Sequence, residues 1–525
     1  MFEILHNLGL GFGVIANYQS FIAILIGVIV GILGGAIPGI SPSMAVALLL
    51  PMTYGMSPTF AMVMLMGIYI GANYGGSITA VAINTPGTPS AMVTAFDGYP
   101  MLKKGRAGEA MGISLWASTF GGLIGAIILI FFSVPLSKVA LNFWPSEYFA
   151  LCVMGLTTVA TLGGANWQKA LVTCLFGLVL NTVGLDPTFG IKRFTFGVTR
   201  LFDGFEMVPV LIGLFALGEV LDNLEHYHAT DEKKQKEEPV SYKLPKLSYY
   251  WHLKWSIIRA GLAGCLIGIF PGAGGTIASF IAYDVEKRCS KHPEEFGHGA
   301  SEGVAASEAA NSGSVGGAMV PLLTLGIPGS STAAVLLSAL MIHNLNPGPQ
   351  LFTSEPELVY GLFASMFVAN VIMVLIGTYG ARIWVKVGYI KKTILYPLIF
   401  AFSILGSYSI KKSMFDVGTC LAFGLVGWMF KKYRYPSSPV VLGLVLGKLI
   451  ETNYIQTLMV TGPIGFVQRP MTVVLFVISF VAIPLSNHFG REEGTAEVRN
   501  PFLLCGRCPR GASVAFVFNL SRNPR

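Results

Sequence analysis

Two stretches of this chain repeat each other around paired Pro-Gly steps. They are Gly31-Ile-Leu-Gly-Gly-Ala-Ile-Pro38-Gly39 followed by Asn84-Thr-Pro86-Gly87-Thr-Pro-Ser90, and Gly264-Cys-Leu-Ile-Gly-Ile-Phe-Pro271-Gly272 followed by Gly326-Ile-Pro328-Gly329-Ser-Ser-Thr332. These residues are poor nucleophiles and proton carriers, so their chemistry is that of broken backbone. A Pro-Gly step inside an apolar run removes an intrahelical hydrogen bond and frees carbonyl and N–H groups. At membrane depth such groups are tolerated where they are buried in protein or line a wet cavity. A helix that restarts after the break points its positive end and unpaired N–H groups inward, which suits an anion. Carbonyl and hydroxyl oxygens suit a hard cation such as sodium.

Side chains near the breaks are hydroxyls and amides, and the apolar segments around them hold almost no Lys or Arg. Gly/Pro-interrupted segments in corresponding positions of two halves point to the binding site of a secondary transporter. The expected substrate contacts are Asn84, Thr85, Pro86, Gly87, Thr88 and Ser90 in one half, and Gly326, Pro328, Gly329, Ser330, Ser331 and Thr332 in the other. The expected cation contacts are Pro38, Gly39, Ser41, Asn73 and Ser77, with Pro271, Gly272, Glu308, Asn311 and Ser312. An anion held without basic side chains calls for a co-bound cation, Na+ or H+. Glu302 and Glu308 suit that cation or proton, a polar loop and a helix cap being their alternative roles. No other metal or cofactor is expected.

Composition places these segments in a membrane. Of 525 residues, 53% are hydrophobic and 12% charged, about half the charged share of soluble proteins, and mean hydropathy is +0.64. Phe21 to Ile40, Met111 to Pro135, Tyr360 to Ile376 and Met471 to Leu485 approach or exceed the length that crosses a bilayer core. The net charge of +8 is scattered over short loops, a pattern that sets topology and argues against nucleic acid. Seven cysteines, five of them isolated beside apolar runs, give no disulfide framework, and Cys505-Gly-Arg-Cys508 lacks a second pair for a metal. No Ser/His/Asp set, HExxH or paired acids suggest an enzyme.

The expected fold is an all-α polytopic membrane protein with about 12 transmembrane helices in two repeats, broken or re-entrant at the Pro-Gly motifs. Residues 1–20 read as an interfacial lead-in, 21–225 as the first repeat, 226–254 as a polar linker, 255–488 as the second repeat and 489–525 as a disordered or atypical tail. Pro38 maps to Pro271, a shift of 233, and Pro86 to Pro328, a shift of 242. Equivalent loops differ in charge: Lys103, Lys104 and Arg106 follow the first motif pair, whereas Glu355 and Glu357 follow the second. By the positive-inside rule, this contrast favours inverted repeats. Residues Pro187 to Val220, with Lys192, Arg193 and Arg200, fit neither pattern and read as re-entrant or interfacial.

At these residues the chain resembles the TctA family, the large membrane subunit of tripartite tricarboxylate transporters. The likeness runs from about Ile22 to Leu485. It is carried by Gly34-Gly-Ala-Ile-Pro-Gly-Ile-Ser-Pro42, Tyr69-Ile-Gly-Ala-Asn-Tyr-Gly-Gly-Ser-Ile-Thr79, Ile83-Asn-Thr-Pro-Gly-Thr-Pro-Ser90, Asp97-Gly-Tyr-Pro100, Ile269-Phe-Pro-Gly-Ala-Gly-Gly275, Glu302-Gly-Val-Ala-Ala-Ser-Glu-Ala-Ala-Asn311 and Pro321-Leu-Leu-Thr-Leu-Gly-Ile-Pro-Gly-Ser330. The resemblance implies a bacterial inner-membrane protein that imports citrate or another carboxylate with sodium. It also implies two partners, a small TctB-like membrane subunit and a periplasmic TctC-like solute-binding protein. An elevator-like or rocking motion is the mechanism expected by analogy, with a passive channel or carrier for small organic anions as the alternative.

Overall fold

Serine caps and left-handed terminators delimit the helices of the first half. A computed structural model of the chain describes residues 2–479 apart from 38, 162–166, 187, 226–246, 273 and 388–391. Helix α1 (Phe2–Ala16) precedes α2 (Tyr18–Gly35), where Asn17 accepts the Gln19 N–H. Helix α3 (Pro42–Leu49) restarts after the first break, with the Ser41 hydroxyl accepting the Met44 N–H. Ser57 and Pro58 open α4 (Pro58–Ile83), and Asn84 closes it at φ 52, a left-handed conformation that stops a helix. Then follow α5 (Ala91–Lys103), α6 (Ala107–Ala140), α7 (Pro145–Thr161) and α8 (Trp167–Asn181).

The ill-fitting region after α8 is a small hairpin. Strands β1 (Gly184–Leu185) and β2 (Lys192–Arg193) pair antiparallel. Asp186 accepts the Phe189 N–H and faces Arg193, which together hold its carboxyl below the usual range. Helicity resumes with α9 (Met207–Leu211), passes through a π-helical stretch (Ile212–Leu217) and ends in α10 (Gly218–Glu225).

The second half repeats the order with α11 (Lys254–Ile269), α12 (Gly274–Cys289), α13 (Ser301–Leu325) and α14 (Ser331–Ile342). Gly326 closes α13 at φ 71, where Asn84 closes α4. After α15 (Leu351–Ser354) come α16 (Pro356–Val387), α17 (Lys392–Lys411), α18 (Met414–Lys432), α19 (Ser438–Thr461), α20 (Gly465–Gln468) and an apolar helix at Pro470–Ser479. Pro38, most of the predicted linker, the predicted tail and the Cys505–Cys508 pair lie outside the described residues.

Among the described residues, six helical stretches are long and apolar enough to cross a membrane: α2, α4, α6, Met207–Glu225, Pro356–Gly380 and α18. This is fewer than the 12 expected from sequence. Breaks shorten the rest, such as Pro42–Thr53 and Ser331–Ile342, and Ser, Asn and Glu dilute the hydropathy of α13. The outward faces of α6, α8, α16 and α18 carry exposed Phe131, Phe132, Val172, Leu175, Val179, Val371, Leu375 and Leu425. So much exposed apolar surface fits lipid. The chain is a multi-pass membrane protein.

Close helix contacts recur at equivalent positions in the two halves. Helix α2 packs along α4, and α11 along α13. A Cβ on Gly35 would stand 2.1 Å from the Ala72 carbonyl oxygen, and one on Gly268 would stand 2.5 Å from that of Ser314. Between apolar helices in lipid, where no hydrophobic drive separates helix from tail, such close packing is a main source of association. The halves also exchange helices: α6 packs on α13 and α16 on α4, α8 on α19 and α18 on the π-helical stretch. Helices α3 and α14, each following a break, touch both the motif-bearing core and the outer helices, α3 meeting α17 and α14 meeting α19.

The second Pro-Gly step of each pair wedges against this seam. A Cβ on Gly87 would meet the Gly35 carbonyl oxygen at 1.9 Å, and one on Gly329 would meet that of Gly268 at 2.4 Å and the Ala318 Cα at 2.6 Å. Backbone surrounds the added methyl on both sides. Gly329→Ala is therefore expected to destabilise the fold by about 1–3 kcal/mol, read as a lowered thermal midpoint of the purified protein.

Candidate functional site

The loops after the breaks converge on one cavity of about 250 Å³ between the two halves. Its walls pair residues by the same shifts that relate the motifs. Ser41, Pro42 and Ser43 face Gly274, Gly275 and Thr276; Tyr69 matches Asn311; Pro89 and Ser90 match Ser331 and Thr332. Asn73, Gly272, Ile277, Ser330 and Ser438 complete the lining. No charged side chain lines it among the described residues. Helices α3, α5, α12 and α14 all begin at its wall, so their positive ends favour an anion there.

Two of these helix starts are capped from within. Ser41 bonds the Met44 N–H at 3.2 Å, and Ser330 bonds the Ala333 N–H at 3.1 Å. The Ser330 hydroxyl also meets the Tyr69 hydroxyl at 3.0 Å, a contact between halves. Helix α12 begins at Gly274, φ 56.

Of the residues expected to bind substrate, Ser90, Ser330, Ser331 and Thr332 line the cavity. The others stand behind or beside it. Asn84 is an exposed helix terminator, and the Thr85 N–H bonds the Thr79 carbonyl. Gly87 donates to the Gly76 carbonyl at 3.1 Å, while Thr88 lies under Ser90 at 3.2 Å. Gly326 ends α13, and Pro86, Pro328 and Gly329 belong to the wedges. Asn84→Gly is accordingly expected to leave the fold intact, because glycine adopts a left-handed helix terminator at least as readily as asparagine; the thermal midpoint of the purified variant checks this.

Of the residues expected to hold a cation, Ser41, Asn73, Gly272 and Asn311 line the cavity. Gly39 and Pro271 flank it, and Pro38 is outside the described residues. Ser312 is buried on α13. Ser77 bonds the Tyr74 carbonyl at 2.7 Å and the Ser114 hydroxyl of α6.

Glu308 lies one helical turn from Asn311 on α13 and is fully buried. The Thr94 and Ser118 hydroxyls donate to its two oxygens, Ser118 at 2.9 Å. Thr94 in turn follows Ser90 by one turn of α5. The carboxyl thus joins α5, α6 and α13 directly beneath the cavity wall. Glu302 sits half-buried at the start of α13.

A second buried carboxylate fixes the ends of these helices. Asp97 is 0% exposed; its Oδ1 accepts the N–H groups of Gly297, Gly299 and Ala300 at 2.8, 2.8 and 2.9 Å, and its Oδ2 accepts the Tyr283 hydroxyl at 2.8 Å. Arg106 adds bonds to Glu109, Ser301 and the Gly299 carbonyl, and Tyr249 donates to Glu109. The two halves are therefore tied at the loops 103–106 and 297–301.

Sequence reasoning had not marked Tyr69, Ser43, Thr276 or Ser438 as site residues. Tyr69 was findable, since the 242-residue shift carries it onto Asn311. Ser438 follows neither break and gives no such signal. The hydroxyl partners of Glu308 come from α5 and α6, and only packing reveals them.

The model of the tripartite tricarboxylate transporter TctA family matches residues 21–442. An uncharacterized 52.8 kDa protein of the TAR-I ttuC′ 3′ region of Agrobacterium vitis is 37% identical over 488 residues, 93% of this chain and 97% of that protein. A second Agrobacterium vitis protein, of the TAR-II ttuC′ 3′ region, is 37% identical over 225 residues, 42% of this chain and 93% of its own length. No solved structure matches. A membrane chain whose broken helices meet at an uncharged polar cavity, and whose match to the family model spans both halves, belongs to the tripartite tricarboxylate transporter TctA family.

Proposed function

We propose that this chain is the translocating subunit of a secondary active transporter that imports citrate or a related carboxylate. The observation that carries the reading is the cavity, where four helix starts and a ring of hydroxyl and amide groups meet without a charged side chain. Helix ends and neutral donors bind a carboxylate while releasing it more readily than a buried Arg pair would. The charge is balanced by a co-transported Na+ or H+, with Glu308 and the cavity oxygens as its ligands. Family membership supports the tricarboxylate class, a small membrane subunit and a periplasmic binding protein that delivers the substrate.

The two halves are inverted repeats, and about 12 crossings are reached by counting the broken helices. The contact of loop 103–106 with His298 and Gly299 supports this, because it brings basic loops of both halves to one end, the cytoplasmic end by the positive-inside rule. The motif-bearing core then moves against the outer helices, with α3 and α14 at the sliding boundary, as in an elevator. The setting is the bacterial inner membrane. Labelled citrate uptake into proteoliposomes holding the chain and its small partner tests the reading. Uptake that needs both an inward sodium gradient and the cognate binding protein is expected; gradient-independent flux would make the chain a channel or passive carrier.

A further inference from the structure

Asn311 is 1% exposed, and neither its amide nitrogen nor its carbonyl oxygen has a hydrogen-bond partner among the described protein groups. Burying both ends of an amide unpaired is costly, so such a group in a native structure calls for a water, an ion or a ligand to complete it. The amide lines the cavity against the first turn of α12, where a Cβ on Gly275 would stand 2.3 Å from Oδ1. Glycine at 275 is what lets the side chain lie there. Beside it is the start of α12 at Gly274.

We infer that Asn311 reads a 2-hydroxycarboxylate, an inference that rests on the carboxylate-transport reading above. Nδ2 donates to a carboxylate oxygen in the cavity, and Oδ1 accepts the hydroxyl on the adjacent carbon. One planar group offers a donor and an acceptor side by side; the ligand offers an acceptor and a donor side by side. A carboxylate without the hydroxyl satisfies Nδ2 and leaves Oδ1 buried and unpaired. A polar site built this way rejects the deoxy analogue far more strongly than an apolar pocket rejects a change of size. Recognition by this site therefore depends on the hydroxyl next to the carboxylate more than on the number of carboxylates.

The test is ligand-dependent thermal stabilisation of the purified full chain, titrated with two matched pairs: citrate against propane-1,2,3-tricarboxylate, and malate against succinate. In the unaltered protein the hydroxylated member of each pair is expected to bind at least about tenfold more tightly. In Asn311→Leu, which removes both polar atoms, the ratio falls to about one. Equal binding within both pairs by the unaltered protein overturns this inference and leaves the carboxylate reading standing. A Leu variant that is monodisperse and keeps the full ratio overturns it as well. Binding of none of the four acids by folded protein overturns the carboxylate reading and this one with it. The comparison in the unaltered protein decides the matter even where the variant does not fold.

Discussion

Replacing Glu308 with glutamine is expected to abolish cation-driven accumulation of substrate while leaving insertion and folding intact. The carboxyl is buried among α5, α6 and α13, with the Thr94 and Ser118 hydroxyls donating to its oxygens. Glutamine keeps one acceptor oxygen and nearly the same volume, so the helices stay packed. It cannot carry a negative charge, and an ionisable group at this depth, bonded to two hydroxyls and to no basic side chain among the described residues, reads as a cation or proton site. Each cation that no longer accompanies the substrate removes about 2.3 kcal/mol of driving force per 100 mV, roughly fiftyfold in the limiting accumulation ratio. Counterflow in the absence of a gradient measures the remainder, which is expected to persist. Accumulation by Glu308→Gln at the unaltered level would remove Glu308 from the coupling site.

Asp97→Ala is expected to be strongly destabilising. The carboxylate satisfies three backbone N–H groups of the loop before α13 and the Tyr283 hydroxyl of α12. A methyl group leaves those donors enclosed without an acceptor, at about 1–3 kcal/mol for each that water cannot reach. The total is on the order of 4 kcal/mol or more, enough to reduce the yield of folded protein severely. Asp97→Asn keeps one acceptor oxygen for the loop and offers its amide to the Tyr283 oxygen, so it should recover much of the loss. Thermal midpoints of the two variants give the comparison. Equal midpoints for Ala and the unaltered protein would mean that the loop holds its conformation without Asp97.

The breaks were readable from the sequence because Pro and Gly act locally. Each marks where a helix stops, and the paired shifts of 233 and 242 residues place the two sets in correspondence. Where the resulting chain ends point was not local. Asn84, expected from the sequence to contact substrate, terminates α4 at φ 52, the role that Gly326 fills in the second half. Asn311 differs from Asn84 only in its surroundings: a glycine opposite, a cavity in front and no partner. Asp97 appeared in the sequence as part of a motif without a role, because its partners lie 200 residues away on a loop that no periodicity connects to it. The number of crossings was equally hard to read. Helices enclosed by protein, such as α13, need not be uniformly apolar, and broken ones are too short to register.

The central claim is that the carboxylate occupies the cavity formed by the broken helices. The most direct measurement is labelling of Ser331→Cys by an impermeant thiol reagent, in a chain whose native cysteines are replaced by serine, with and without citrate. Ser331 lines the cavity and is only partly buried. Citrate is expected to slow its labelling by about tenfold or more at saturation, while labelling of a cysteine placed at the exposed Ser354 is unchanged. Equal labelling of Ser331→Cys with and without a carboxylate that the same protein transports would contradict the account.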